Sequence, residues 1–257
     1  MRSWIIIFLF LLITIGGWSR LVKPDAVESP VIVVAAASSL REPLDEVATK
    51  YEQKNKNIKI KIVYGGSETL KEQILHGAQI DLFLSAGIEP VQDLYSQKKV
   101  AEIFDFLRNE LVLVTTKDNN MIKDFNDLKQ SEVKLISIAL PSSAPVGKYG
   151  LEVLEALGLW EKVDEKIVFA KDASQVALFV ATGNADAGLV YRTDVYKFNN
   201  LKVTAIANKK LHSPIVYQMA ILNEATNLRE TREFARFLLQ RESQAIFTKY
   251  GFKKGMD

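Results

Sequence analysis

The 257-residue chain reads as two α/β lobes, and three observations predict it. Short apolar runs rich in Val, Ile and Ala alternate with segments whose apolar residues recur every three or four positions, so strand and helix patterns take turns along the chain. At four places a strand pattern runs through small or polar residues into a helix pattern. The series also restarts, because Asn109 opens a second set of strands and helices and Ile215–Leu222 can return to the first. With 48% hydrophobic residues there is apolar surface for two cores.

Val31–Ala36 is continuously apolar and too short for a helix, which predicts a buried strand. Leu40, Leu44, Val47, Ala48 and Tyr51 then mark one helix face. Ser39 sits at the join, and with Glu42 it matches the S-x-x-E capping box. A cap accounts for this stretch by itself. The same junction also presents free N–H groups at the positive end of a helix dipole, a place that binds anions. The second strand, Ile58–Tyr64, turns Ile58, Ile60 and Ile62 inward, and its lysines fit a solvated sheet edge. It runs into Gly65-Gly66-Ser67, where glycine permits positive φ and close backbone approach. A short helix through Leu70, Ile74 and Leu75 follows, closed by Gly77.

Ile80–Ser85 is a third buried strand, and Val91, Leu94 and Tyr95 mark a helix. Phe104–Leu107 leads into the strand Asn109–Thr115, a turn forms at Asp127-Leu128, and Leu135–Leu140 is the next strand. Pro141–Gly150 reads as a rigid loop feeding a helix through Val153, Leu154 and Leu157. Lys148 after Gly147 does not make a P-loop, since the spacing fails and Tyr149 follows. After the strand Ile167–Ala170, Asp172 and Gln175 form a capping-box-like start to a helix through Val176, Leu178, Phe179 and Val180. Ala185–Tyr191 is a strand delivering a tyrosine at its end, with Thr193 and Asp194 suited to cap a further turn. Strands at Lys202–Ala207 and Ile215–Leu222 precede an amphipathic helix through Leu228, Phe234, Ala235 and Leu238.

Composition narrows function. The formal charge is +2, from 33 basic and 31 acidic residues with no basic patch, so nucleic acid is not an expected partner. The absence of cysteine excludes disulfides, thiolate metal sites, a thiol nucleophile and a lipid-modified cysteine. His76 and His212 lack metal-ligand spacing. A serine hydrolase built on Ser38, Ser39 or Ser67 finds no G-x-S-x-G elbow, and nothing favours a Ser-Lys pair with Lys71 or Lys148. Arg2 precedes the apolar run Trp4–Ile15, which fits the core of a secretory signal. Residues 1–19 are read as a signal peptide with a small-x-small site at Gly17-Trp-Ser19, and retention as an uncleaved anchor is left open.

Taken together, Ala35-Ala-Ala-Ser-Ser-Leu40, Gly66-Ser67-x-Thr-Leu70, Ala78-x-x-Asp-Leu-Phe-Leu-Ser-Ala86, Pro145-Val-Gly147, Ala185-Asp-Ala-Gly-x-Val-Tyr-x-Thr-Asp194 and Tyr250-Gly-Phe252 resemble the periplasmic molybdate-binding proteins of ABC importers. The likeness runs through residues 31–252 with the motifs in order. It implies a type II periplasmic-binding-protein fold, each lobe a mixed sheet flanked by helices, with the ligand cleft between lobes. Residues 31–108 plus 215–257 would form lobe 1, and 109–214 lobe 2.

Carried over by position, the resemblance implies that neutral donors hold the oxyanion. These are the hydroxyls of Ser39 and Ser67, the backbone amides of Val146 and Ala173, and the hydroxyl of Tyr191. Ser38 could share or replace the role of Ser39, and Glu68 departs from the small polar residue often found beside the second serine. Molybdate or tungstate would be the ligand, the metal touching no protein atom and no cofactor being needed. A site without a mobile proton would reject hydrogen phosphate, and sulfate would fit less well because it is smaller. A receptor of sulfate or another tetrahedral anion is the neighbouring reading. The implied partner is a membrane permease, the implied location periplasmic, and a monomer is expected.

Overall fold

In the computed structural model, residues 29–255 are described; the signal-peptide reading of residues 1–19 lies outside them. The strands are β1 (Val31–Ala37), β2 (Lys59–Gly65), β3 (Leu82–Ser85), β4 (Val100–Arg108), β5 (Leu111–Thr116), β6 (Ile136–Ala139), β7 (Ile167–Ala170), β8 (Ala187–Tyr191), β9 (Leu201–Ile206), β10 (Val216–Leu222) and β11 (Lys253–Lys254). The α-helices are α1 (Arg41–Lys54), α2 (Ser67–Leu75), α3 (Glu89–Ser96), α4 (Pro145–Ala156), α5 (Trp160–Val163), α6 (Ala173–Ala181), α7 (Arg192–Val195), α8 (Leu228–Leu239) and α9 (Arg241–Lys249).

Two sheets form. One has the order β11-β4-β10-β3-β1-β2 and the other β7-β6-β8-β5-β9. Both are mixed: β1 lies parallel to β2 and β3 while β10 runs antiparallel to β3 and β4. In the second sheet β6 lies parallel to β7 and β8, and β5 antiparallel to β8 and β9. The parallel strands of each sheet send their carboxyl ends toward the other lobe, the edge of an open α/β sheet where ligands bind. Two connections join the lobes, Asn109-Glu110 and residues 207–215. They run together, with the Asn109 amide bonded to the Ile215 carbonyl at 3.4 Å.

Alternation along β1 builds the first core. Ile32, Val34 and Ala36 pack with Leu44, Val47 and Tyr51 of α1 and Phe234 and Leu238 of α8, while Val33 and Ala35 pack with Leu70 and Ile74 of α2 and Val91 and Leu94 of α3. β2 is an edge strand whose Lys59 and Lys61 are exposed, so their charges discourage another strand from pairing with it.

Several local readings change. The Pro141–Gly150 loop is largely helix, because α4 starts at Pro145, whose fixed φ suits a first helical position. Gly147 lies inside that helix, where a β-carbon would come within 2.2 Å of the Ala139 carbonyl oxygen. Gly66 does not use positive φ; its φ is −69°. It is needed for close approach, since a β-carbon there would lie 2.3 Å from the carbonyl oxygen of Ser143 on the other lobe. β4 was not legible as a separate strand because its exposed and half-buried positions break the alternation.

Candidate functional site

The site grows from the ends of parallel strands. β1 ends in a single 3-10 turn, Ser38–Leu40, and α1 starts only at Arg41. Ser39 therefore does not cap a helix, contrary to the capping-box reading. Its hydroxyl lies 2.9 Å from the Tyr217 hydroxyl, and Glu42 instead meets Lys197 at 3.2 Å. Ser67 is not a cap either; Gly66 holds that position. The Ser67 oxygen accepts the Ala86 amide at 3.0 Å, which leaves its own hydrogen to donate.

On the second lobe, Val146 lies in the first turn of α4 and Ala173 is the first residue of α6. First-turn amides have no partner inside their own helix. Asp172 caps α6, its carboxylate accepting the Gln175 amide at 2.9 Å, while Gln175 reaches back to the Lys171 amide at 2.8 Å, one residue beyond a standard box. Thr193 and Asp194 do not cap α7. Thr193 accepts from Asn109 at 2.9 Å and Asp194 pairs with Lys197 at 2.9 Å.

Ser39, Ser67, Val146, Ala173 and Tyr191 all line one small cavity between the lobes, and Ser38 lines it too. Tyr191 is fully buried, which pushes its hydroxyl well above the ordinary tyrosine value and keeps it protonated. That proton goes across the cleft to the Ala86 carbonyl at 3.0 Å, so the tyrosine joins the lobes here. The lining also includes Asp172, a carboxylate that the reading of an all-neutral site did not anticipate.

Glu68 does not aim a bare charge at the cavity. It is 6% exposed and sits between Lys71 at 2.8 Å and Lys148 at 2.9 Å. Burial lowers the pKa of each lysine, but the hydrogen bonds Lys71 donates to Glu68 and Asp93, and Lys148 to Glu89 and Glu68, outweigh it, so both are held above the usual lysine value and stay charged. Lys148 belongs to the second lobe and also pairs with Glu89 of the first. A second clasp sits behind Ser38, where Lys197 joins Asp194 to Glu42. Sequence reasoning missed both clasps, Ala86 and Tyr217, since ion pairs between distant segments leave no local pattern.

A two-lobed α/β scaffold with helix starts and hydroxyls converging on a small interlobe cavity defines a binding protein for a small solute. The chain belongs to the family of bacterial extracellular solute-binding proteins, whose model matches residues 32–253, and so to a group of exported proteins. It is 37% identical over 95% of its length to the Bacillus subtilis (strain 168) protein named "Putative ABC transporter substrate-binding lipoprotein YvgL", covering 94% of that protein. It is 30% identical to the molybdate-binding protein ModA of Escherichia coli (strain K12), over 86% of this chain and 88% of the relative. The solved periplasmic molybdate-binding protein of Azotobacter vinelandii superposes with a TM-score of 0.78 at 23% identity, covering 86% of this chain and 98% of that one, and shares the two-lobed fold.

Proposed function

We propose that the protein captures molybdate or tungstate between its lobes and delivers it to the membrane permease of an ABC importer. The observation that carries this reading is the convergence of Ser39, Ser67, Val146, Ala173 and Tyr191 on one interlobe cavity at the starts of α2, α4 and α6. Helix N-termini and hydroxyls suit a dianion, because each hydrogen bond to a charged acceptor contributes roughly 1.5–3 kcal/mol and several together offset its desolvation. The ModA relatives support the choice of ion. For Tyr191 to join them, its hydroxyl turns from the Ala86 carbonyl to the ligand.

The finer assignment is a periplasmic, monomeric receptor released or tethered by its N-terminal segment. With no cysteine in the sequence, the lipid attachment in the name of the Bacillus relative is not available to it. The test is calorimetric titration with molybdate, tungstate, sulfate and phosphate at neutral pH. Tight one-to-one binding of the first two with little heat from the others is expected. Sulfate binding as tight as molybdate would make it a broader oxyanion receptor. Preference for phosphate would show that Asp172 accepts a ligand proton, and silence from all four would overturn the reading.

A further inference from the structure

Tyr217 is absent from the cavity wall, yet its hydroxyl touches Ser39. It is fully buried near the start of β10, its ring packed edge-on against Phe252 at 5.4 Å and tilted against Tyr191 at 5.5 Å. Among the described residues two groups reach its hydroxyl, Ser39 at 2.9 Å and the Asn109 amide nitrogen at 3.2 Å.

Counting protons sets the direction of each bond. The Asn109 carbonyl oxygen accepts the Glu110 backbone amide at 2.9 Å, so the side-chain amide cannot be flipped without setting two donors against each other. Its nitrogen therefore donates, one hydrogen to Thr193 at 2.9 Å and the other to Tyr217. The Tyr217 oxygen is thus an acceptor toward Asn109, and its single hydrogen needs an acceptor of its own. Among the described residues Ser39 Oγ is the one acceptor within reach. The opposite direction would bury an O–H without a partner, a costly arrangement. Burial raises the Tyr217 pKa well above the ordinary tyrosine value, so the hydrogen is present at any working pH.

We propose that Tyr217, held by Asn109, is a positioning residue that donates to a lone pair of Ser39 and so turns the Ser39 hydrogen away from itself and toward an oxyanion in the cavity. This rests on the oxyanion-receptor reading and explains how a neutral hydroxyl, which can donate or accept, is fixed as a donor. Ser67 is fixed in the same way by the Ala86 amide. The chain of bonds also runs through the hinge, since Asn109 lies between the lobes and Thr193 lies in the second lobe's α7.

The test is a double-mutant cycle of molybdate affinity with Tyr217→Phe and Ser39→Ala. Tyr217→Phe alone should weaken binding about tenfold, the loss of roughly one oriented hydrogen bond. In the Ser39→Ala background the same change should cost less than about twofold, because no hydroxyl remains to orient. Equal losses in both backgrounds would mark Tyr217 as merely structural, and an unchanged affinity in the single variant would also overturn the proposal. If the Phe variant melts far below wild type, Asn109→Ala goes through the same cycle with the same expected pattern. A wild type that binds no oxyanion would sink the receptor reading itself and this inference with it, an outcome distinct from binding that depends on Ser39 but not on Tyr217.

Discussion

The two lobes bring different chemistry to the same cavity. The first offers side chains, Ser39 and Ser67, whose oxygens are each engaged by another protein group before any ligand arrives. The second offers main chain, the first-turn amides at Val146 and Ala173, with Tyr191 reaching across to Ala86. Hydroxyls can donate or accept, so they need neighbours to fix their sense; amides only donate and need only a helix to aim them. The proposed site is therefore vulnerable at side chains in the first lobe, at backbone placement in the second, and at the seam in both.

The seam gives the largest expected effect. Gly66 meets the Ser143 carbonyl so closely that a β-carbon would stand 2.3 Å from it, and backbone cannot give way as a side-chain end can. Gly66→Ala should therefore hold the lobes apart and lower molybdate affinity by about a hundredfold or more, near 2.8 kcal/mol. Gly87→Ala should do less, because its β-carbon would meet the Pro145 side chain at 2.8 Å. Calorimetry on both variants decides; an unaffected Gly66→Ala would mean that ligand binding does not require this closed seam.

Within the lobes the asymmetry can be tested directly. Removing one hydroxyl, by Ser39→Ala or Ser67→Ala, should weaken binding roughly tenfold to a hundredfold, in line with about 1.5–3 kcal/mol for a hydrogen bond to a charged acceptor. Val146→Ala keeps its amide and should stay within about threefold of wild type, although the buried methyl groups it loses lower the melting temperature. If Val146→Ala weakens binding as much as either serine variant, the second lobe is acting through side chains and the comparison fails.

Legibility followed the same division. The strand-to-helix junctions could be read from the residues, since buried runs such as Val31–Ala36 and helix-spaced leucines are local signals. That α6 starts under an aspartate cap was also local. What Ser39 does was not, because its partner Tyr217 is 178 positions away and sits in a strand where every residue is buried, so no periodicity singles it out. The amides at Val146 and Ala173 carry no side-chain signature at all and entered by family likeness alone. The setting of Glu68 was half legible, because Lys71 lies three residues along its own helix while its other partner, Lys148, lies on the other lobe.

That pairing supplies a smaller effect. Lys148 joins Glu68 and Glu89 of the first lobe to the second, but its side chain is 35% exposed and Glu89 is 65% exposed, so screening limits its worth. Lys148→Met should lower affinity by about twofold to fivefold at low ionic strength, matching the up to about 1 kcal/mol of partly exposed pairs. In 1 M salt the two proteins should converge. A gap that persists undiminished there would assign Lys148 a role in contact with the ligand rather than in closure.

The smallest effect belongs to the hinge, where the lobes share one carboxylate. Glu110 pairs with Lys253 of the first lobe's β11 at 2.6 Å and with Arg192 of the second lobe's α7 at 3.0 Å. The Lys253 hydrogen bond, opposed by burial and reinforced by Arg192, holds its pKa below the ordinary 4.5. A carboxyl depressed on folding contributes stability that is present above its unfolded value and is lost as pH falls through the folded one. Wild type should therefore melt slightly above Glu110→Gln at neutral pH, and the gap should narrow below about pH 4.5 and close in stronger acid. Melting curves of both proteins between neutral pH and strong acid check this. A gap independent of pH would mean that Glu110 holds the hinge by hydrogen-bond geometry, which glutamine disturbs at any pH, and not by the charge it shares between the lobes.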